Sequence, residues 1–145
     1  TRQKSNEITA IPELLKLLDI SGCLITTDAM GCQSDIAADI IARGGNYLLA
    51  VKGDQGLLYR DSKALFNDPE RRGPLALQIR VNTTENRDHG RVEQRICEVL
   101  SGAETIDQIR HKNNWLNLRT LVKVTAKRTI VSTGEITEFS RYYIW

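Results

Sequence analysis

The sequence predicts an α/β fold followed by an antiparallel, β-rich region. Short apolar runs alternate with amphipathic helical segments over residues 1–66. Residues 67–145 instead carry stretches with period-two hydrophobic alternation, separated by turn signals. The length of 145 residues allows a sizeable core. We therefore expect an α/β region over 1–66 and a β-rich region over 67–145.

In the α/β region, each element has a local signal. Pro12 suits a first helical position, and Leu14, Leu15 and Leu18 form an apolar stripe. The apolar runs favour strands in the centre of a covered sheet, and a strand, helix and strand in succession favour a parallel βαβ unit. The predicted elements are helices over 11–18, 35–43 (capped by Ser34) and 55–66 (capped by Asp54) and strands over 23–27 and 47–51.

The β-rich region begins with a loop over 67–74, which is rich in charged residues, Pro and Gly. The predicted strands cover 75–82, 91–100, 118–131 and 136–145, with a short helix or loop at 107–113. The third of these strands has the clearest alternation. It is expected to turn Val122, Val124 and Ala126 towards the core, and Arg119, Lys123, Thr125 and Lys127 towards solvent.

Composition narrows the class of protein. Lys and Arg number 20 against 18 Asp and Glu, a balance that argues neither for nor against nucleic acid. The three cysteines include no CxxC pair, so a reducing compartment is favoured over a disulfide scaffold. No apolar stretch approaches the roughly 20 residues that span a bilayer, and residues 1–7 are polar. We expect a cytoplasmic protein without a membrane partner.

Asp28 is the first candidate for chemistry, because it directly follows the predicted strand 23–27. Functional groups collect at the carboxyl ends of strands in open α/β sheets, where loops approach ligands. A carboxylate there suits Mg²⁺ or Mn²⁺, which prefer hard oxygen ligands. Alternatively, Asp28 only caps a turn, since a metal site requires two or three converging carboxylates.

The second candidate cluster alternates charge along one predicted strand. Arg91, Glu93 and Arg95 share a face, where they would bind phosphates, or Glu93 would be a second metal ligand. The alternative is a solvated cross-strand ion-pair ladder. Neither His residue has zinc-ligand spacing to a Cys, and the glycines of 53–56 lack nucleotide-binding spacing. Lys52 beside them would contact phosphate or be merely solvated.

Five blocks of this sequence together resemble the H-repeat-associated transposases, insertion-sequence enzymes of the DDE type. The blocks are KSNEITAIP (4–12), LITTDAMGCQ (24–33), GNYLLAVKGDQG (45–56), HGRVEQR (89–95) and RYYI (141–144). They occur in order over nearly the whole chain, and their combination is specific. Trp145 departs from the small polar residues that usually follow the last block in that family.

The resemblance implies a ribonuclease H-like catalytic core. In such a core three acidic residues hold two Mg²⁺ or Mn²⁺ ions that cut and join DNA. Asp28 matches the second of these acids, whereas the first Asp and the final Glu match positions outside the chain. The resemblance further implies that 1–66 is part of this core and that 67–145 is a β-rich insertion, in which Glu93 lies. We therefore expect an interior fragment of a transposase, inactive alone, with transposon-end and target DNA and a possible homo-oligomer as partners.

Two alternatives remain at this stage. The chain could be a module that binds the DNA backbone, or a transposon remnant without function. The basic excess lies in the second half of the chain and favours the module. The candidate DNA-binding residues are Lys52, Arg91, Arg95, Arg119, Lys123 and Lys127.

Overall fold

The structure, a computed structural model, describes residues 7–145, except for the side chains of Glu7 and Asp54. The first three residues of the block at 4–12 therefore lie outside the described part. The helices are α1 Glu7–Leu17, α2 Ser34–Ala42, α3 Gly56–Asn67, α4 Pro69–Arg72 and α5 Ala103–Ile106. The strands are β1 Leu24–Thr27, β2 Asn46–Val51, β3 Arg80–Asp88, β4 Arg91–Ser101, β5 Thr120–Ile130 and β6 Ile136–Ile144.

The six strands form one mixed sheet in the order β1-β2-β6-β5-β4-β3. β1 and β2 are parallel, as the predicted βαβ unit requires, and all other neighbours are antiparallel. The last strand returns to the first region, because Ile144 of β6 pairs with both Leu49 of β2 and Leu121 of β5. Residues 1–66 and 67–145 thus share one sheet, and the predicted α/β architecture is confirmed.

The core lies between one face of this sheet and the helices. Leu49, Leu121 and Ile144 form a row across β2, β5 and β6 and are fully buried. Two rings of α3 contact the same face, since the rings of Tyr59 and Phe66 lie 5.7 Å and 6.3 Å from that of Tyr142. We call this the covered face and the other side of the sheet the open face.

The orientation predicted for β5 was wrong. Lys123 lies on the covered face with Leu121, whereas Val122 and Val124 lie on the open face and belong to no core cluster of the described residues. The Lys123 ammonium is tolerated there because it donates to Asn67 Oδ1 at 2.6 Å and lies 3.7 Å from Glu98 Oε2. On the covered side of β5, an ion pair therefore stands where apolar side chains were predicted to face the core.

The ends of the sheet also differ from expectation. β1 is an edge strand rather than a central one, and its Leu24 is 52% exposed. The strand predicted at 75–82 starts only at Arg80, because a 3-10 turn over Gly73–Gln78 buries Leu75 first. The loop predicted at 67–74 contains α4, which Asp68 caps by accepting a hydrogen bond from the Glu70 N–H.

The first helix begins earlier than its proline suggests. α1 starts at Glu7, so Pro12 lies inside it, where its missing N–H costs one hydrogen bond near the helix start. Leu15 alone of the predicted apolar stripe is buried, and Leu14 and Leu18 are half exposed. None of the helices in the described range is both long enough and apolar enough to cross a bilayer.

Candidate functional site

The parallel pairing of β1 and β2 brings their carboxyl ends to one edge of the sheet. The ladder ends at the pair Thr27 and Leu49, and Asp28 is the next residue after β1. Lys52 follows β2 at the same edge and begins a short 3-10 turn over Gly53–Gln55. Loops at this edge are free to approach a ligand. The predicted location of Asp28 at a strand end is therefore the location observed.

Asp28 is exposed and caps the 3-10 turn Ala29–Gly31. Its Oδ1 accepts hydrogen bonds from the N–H groups of Met30 at 3.0 Å and Gly31 at 3.4 Å. Its Oδ2 makes no hydrogen bond within the described residues. The turn-capping role is thus present, and it leaves one carboxylate oxygen for a further ligand.

The segment from Asp28 to Cys32, which we call the Asp28 turn, packs tightly against α1 through Gly31. A Cβ at this position would lie 2.5 Å from Thr27 Oγ1 and 2.9 Å from Ile11 Cδ1. Real Cβ atoms do not approach other atoms that closely, so only glycine fits without displacing its neighbours. This contact fixes the turn from the side of the helix.

A second contact, which the sequence analysis missed, fixes the turn from the side of β2. Gln55 Nε2 donates to the carbonyl oxygens of Ala29 at 3.2 Å and Cys32 at 3.0 Å. Gln55 Oε1 accepts from the Lys52 N–H at 3.1 Å. The only sequence signal for this residue is an amide side chain four residues after the end of a strand.

A complete metal site is not present in the described part of the chain. No group of three His, Cys, Asp or Glu residues there could hold a metal ion. Asp28 offers one hard oxygen donor, of the kind that Mg²⁺ and Mn²⁺ prefer. Among the side chains that the structure describes, Asp28 therefore fits one ligand of such an ion.

Glu93 lies far along the sheet from Asp28, in the part of β4 that pairs with the end of β5. It accepts hydrogen bonds from Arg128 Nε at 3.1 Å, and Arg128 Nη2 lies 2.9 Å away. Glu93 and Arg128 are directly opposite in the strand register. The cross-strand ion pair, one of the two interpretations of Glu93, is thus the arrangement observed.

The predicted DNA-binding cations do not form one surface. Arg91 and Arg95 lie on the open face, where the strand register also places Arg128 and Arg141. Lys123 and Lys127 belong to the covered side of β5. Lys52 lies at the Asp28 edge, and Arg119 lies beside Trp145, whose carbonyl its N–H contacts at 2.9 Å.

Sequence reasoning missed Arg128 and Arg141 as companions of Arg91 and Arg95. Arg141 lies over the ring of Phe139, with 5.5 Å between the guanidinium carbon and the ring centre. Both residues are exposed. Period-two alternation along 136–145 places Arg141 on the same face as Phe139, but the predicted core-facing side of β5 included the phase of Arg128, so only the strand register brings Arg128 to this surface.

Two tyrosines on the covered face have shifted pKa values. Burial raises the pKa of Tyr142, an effect that the hydrogen bond from Asn67 partly offsets. Burial also raises the pKa of Tyr47, whose hydroxyl donates to the Leu116 carbonyl at 2.8 Å. Both rings therefore stay neutral and act in packing.

The chain is similar to one protein family and to several individual proteins. The transposase DDE domain family matches residues 1–141. Two Escherichia coli K12 proteins, named as H repeat-associated putative transposases YhhI and YbfD, are 43% and 49% identical to the chain. These matches cover 99% and 68% of the chain but 37% and 39% of the two relatives. An uncharacterized protein in the dhlA 3′ region of Xanthobacter autotrophicus is 39% identical over 97% of the chain and 45% of its own length. No solved structure matches the chain.

Proposed function

Because the chain belongs to the transposase DDE domain family, we propose that it forms part of the core of an enzyme that cleaves and joins DNA. The chain spans about 37–45% of the length of the relatives compared above, so this activity is proposed for a longer protein. Its DNA partners would be transposon ends and a target site. The sheet would be part of a ribonuclease H-like core, with 67–145 as an insertion.

The position of Asp28 carries this proposal. An exposed carboxylate stands at the carboxyl end of a parallel strand, and one of its oxygens makes no hydrogen bond in the described part of the chain. In the proposed role, Asp28 is one ligand of a Mg²⁺ or Mn²⁺ pair. When bound, such a pair would stabilise the attacking and leaving oxygens of an in-line phosphoryl displacement. The turn Ala29–Gly31 holds the carboxylate in place for this purpose.

The remaining metal ligands are proposed to lie outside these 145 residues. The described part of the chain brings no three candidate ligands together. One carboxylate is too little negative charge to hold two divalent ions. We therefore expect the 145-residue chain alone not to cut DNA.

Replacing Asp28 by alanine in the full-length protein should abolish this activity. Loss of a group that stabilises transition-state charge costs roughly 10³-fold in rate, and we expect at least that for Mn²⁺-dependent nicking of a plasmid carrying the transposon ends. The matched control is Asp19→Ala, which removes another exposed aspartate whose Oδ1 accepts a local backbone hydrogen bond. Undiminished nicking by the Asp28→Ala protein, or nicking by the 145-residue chain, contradicts the proposal.

A second function, binding of the DNA backbone, is favoured by the arginines of the open face. Arg91, Arg95 and Arg141 are exposed there, and Glu93 is already paired with Arg128. The open face near this end therefore presents more positive than negative charge. An exposed aromatic ring, that of Phe139, accompanies the cations. We propose that this surface contacts phosphates, with Lys52 adding a contact at the Asp28 edge.

A salt titration of the 145-residue chain with fluorescent duplex DNA tests this second function. The logarithm of the binding constant should fall with that of the salt concentration, with a slope of about −0.9 per neutralised phosphate. The double variant Arg95→Ala/Arg141→Ala should make this slope shallower by nearly two such steps. Arg87→Ala, which removes an exposed arginine from the opposite side of the sheet, should leave it unchanged. A salt-independent signal, or equal slopes for all three proteins, contradicts the proposed surface.

A further inference from the structure

The Gln55 carboxamide links the two loops at the carboxyl ends of β1 and β2. Its nitrogen donates to two carbonyl oxygens of the Asp28 turn, and its oxygen accepts the Lys52 N–H. We propose that Gln55 is a positioning residue that sets the place of the Asp28 carboxylate relative to the end of β2. This proposal rests on the proposed metal-dependent function and deepens it.

The pairing of β1 with β2 does not by itself fix the position of the Asp28 carboxylate. The last pair of β1 and β2 joins Thr27 to Leu49, so Asp28 lies just beyond the paired residues. Asp28 Oδ1 is bonded to the N–H groups of its own turn, and the carboxylate therefore moves with that turn. Gln55 bonds to Ala29 and Cys32, which flank the middle of the turn on both sides.

The chemistry of the amide explains why this position needs glutamine. Both protons of Nε2 are directed to carbonyl oxygens, while Oε1 accepts a proton from a backbone amide. A glutamate of the same shape has no proton to donate when ionised, and a lysine has no acceptor. With Gly31 packed against Thr27 and Ile11 on its other side, the Asp28 turn is held from two directions.

The rate of a catalysed reaction depends strongly on small displacements of the catalytic groups. A displacement of about 1 Å at a reacting group costs roughly 10²-fold, even when the changed residue is remote from the chemistry. We therefore expect Gln55→Glu to reduce the rate of metal-dependent cleavage by the full-length protein roughly 10²-fold. The KM for DNA should stay unchanged, and the Mn²⁺ concentration for half-maximal rate should rise.

A second readout needs neither metal nor activity. The Met30 amide proton, which Asp28 Oδ1 accepts, should exchange with solvent about tenfold faster in Gln55→Glu, because the turn loses both donor bonds from Nε2. The Lys52 amide proton should stay protected, because the glutamate carboxylate still accepts it. The matched control is Gln33→Glu, because the Gln33 amide contacts the same turn at the Met30 carbonyl without reaching β2. The control should leave both Met30 exchange and the cleavage rate near wild type.

The outcomes separate this inference from the function on which it rests. Slow cleavage with an unchanged KM and fast Met30 exchange in Gln55→Glu alone support the positioning role. Normal cleavage by Gln55→Glu, alongside an inactive Asp28→Ala protein, overturns the positioning role and leaves the proposed function standing. An active Asp28→Ala protein overturns the proposed function itself. Equal losses in Gln55→Glu and Gln33→Glu also overturn the positioning role, because the turn would then be sensitive to any change.

Discussion

Replacing Asp61 by alanine is expected to lower the free energy of unfolding by about 2 kcal/mol, because several hydrogen bonds to a buried carboxylate are lost. The Asp61 side chain on α3 is 1% exposed and meets the Arg110 guanidinium in a bidentate contact, with Nη2 to Oδ1 at 2.8 Å. Asp61 Oδ2 also accepts the Arg110 backbone N–H at 2.8 Å. This carboxylate therefore joins α3 to the segment between β4 and β5. Thermal unfolding of the 145-residue chain should show the loss as a fall in Tm of about 7 °C.

The same carboxylate gives the stability a dependence on pH. Burial alone would raise the pKa of Asp61, but the Arg110 hydrogen bonds and charge outweigh it and hold that pKa below its ordinary value. A carboxyl with a lowered folded-state pKa stabilises the fold above its unfolded pKa of about 3.9, and this contribution is lost as the pH falls through the folded value.

Urea unfolding between pH 3 and 6 tests this sign. The stability difference between wild type and Asp61→Asn should shrink towards the acid end. Asp107→Asn is the matched control, because Asp107 pairs with Lys112 at the surface. It should change stability little at any pH. A constant stability difference between wild type and Asp61→Asn over the whole range would contradict the buried Asp61 carboxylate as its cause.

Elements with strong local signals could be predicted from the sequence. The apolar run of β2 and the helical pattern of α2 predicted the bounds of these two elements to within about one residue. The faces of β4 were also predicted, because Arg91, Glu93 and Arg95 do share one side. In these segments, the buried face that side-chain periodicity predicts is the face that tertiary packing buries.

The remaining features depend on partners distant in the chain. The covered side of β5 was mispredicted because Lys123 finds Asn67, 56 residues away, and Glu98 on the neighbouring strand. The edge position of β1 could not follow from its composition, since an apolar run does not reveal which neighbouring strands are present. Gln55 was missed for the same reason, because its bonds cross 23 and 26 residues.

The partners of Lys123 form a polar cluster that connects the helices to the middle of the sheet. Glu98 is 8% exposed, and its Oε1 accepts a hydrogen bond from Arg72 Nη2 at 2.7 Å. Its Oε2 faces Lys123, whose ammonium also donates to Asn67, and Asn67 in turn donates to the Tyr142 hydroxyl at 2.6 Å. Glu98 is thus the one carboxylate shared by two cations in this cluster.

Replacing Glu98 by alanine should therefore cost about 3 kcal/mol of unfolding free energy, since it leaves Lys123 on the covered face without its counter-charge. Glu93→Ala is a close control on the same strand, because it also removes a glutamate paired with an arginine. That pair is 39% and 51% exposed, so we expect a loss of roughly 0.5 kcal/mol or less. Urea unfolding of the 145-residue chain measures both. Equal losses would mean that Lys123 is solvated rather than held by Glu98, and would return Lys123 to the cations available for DNA.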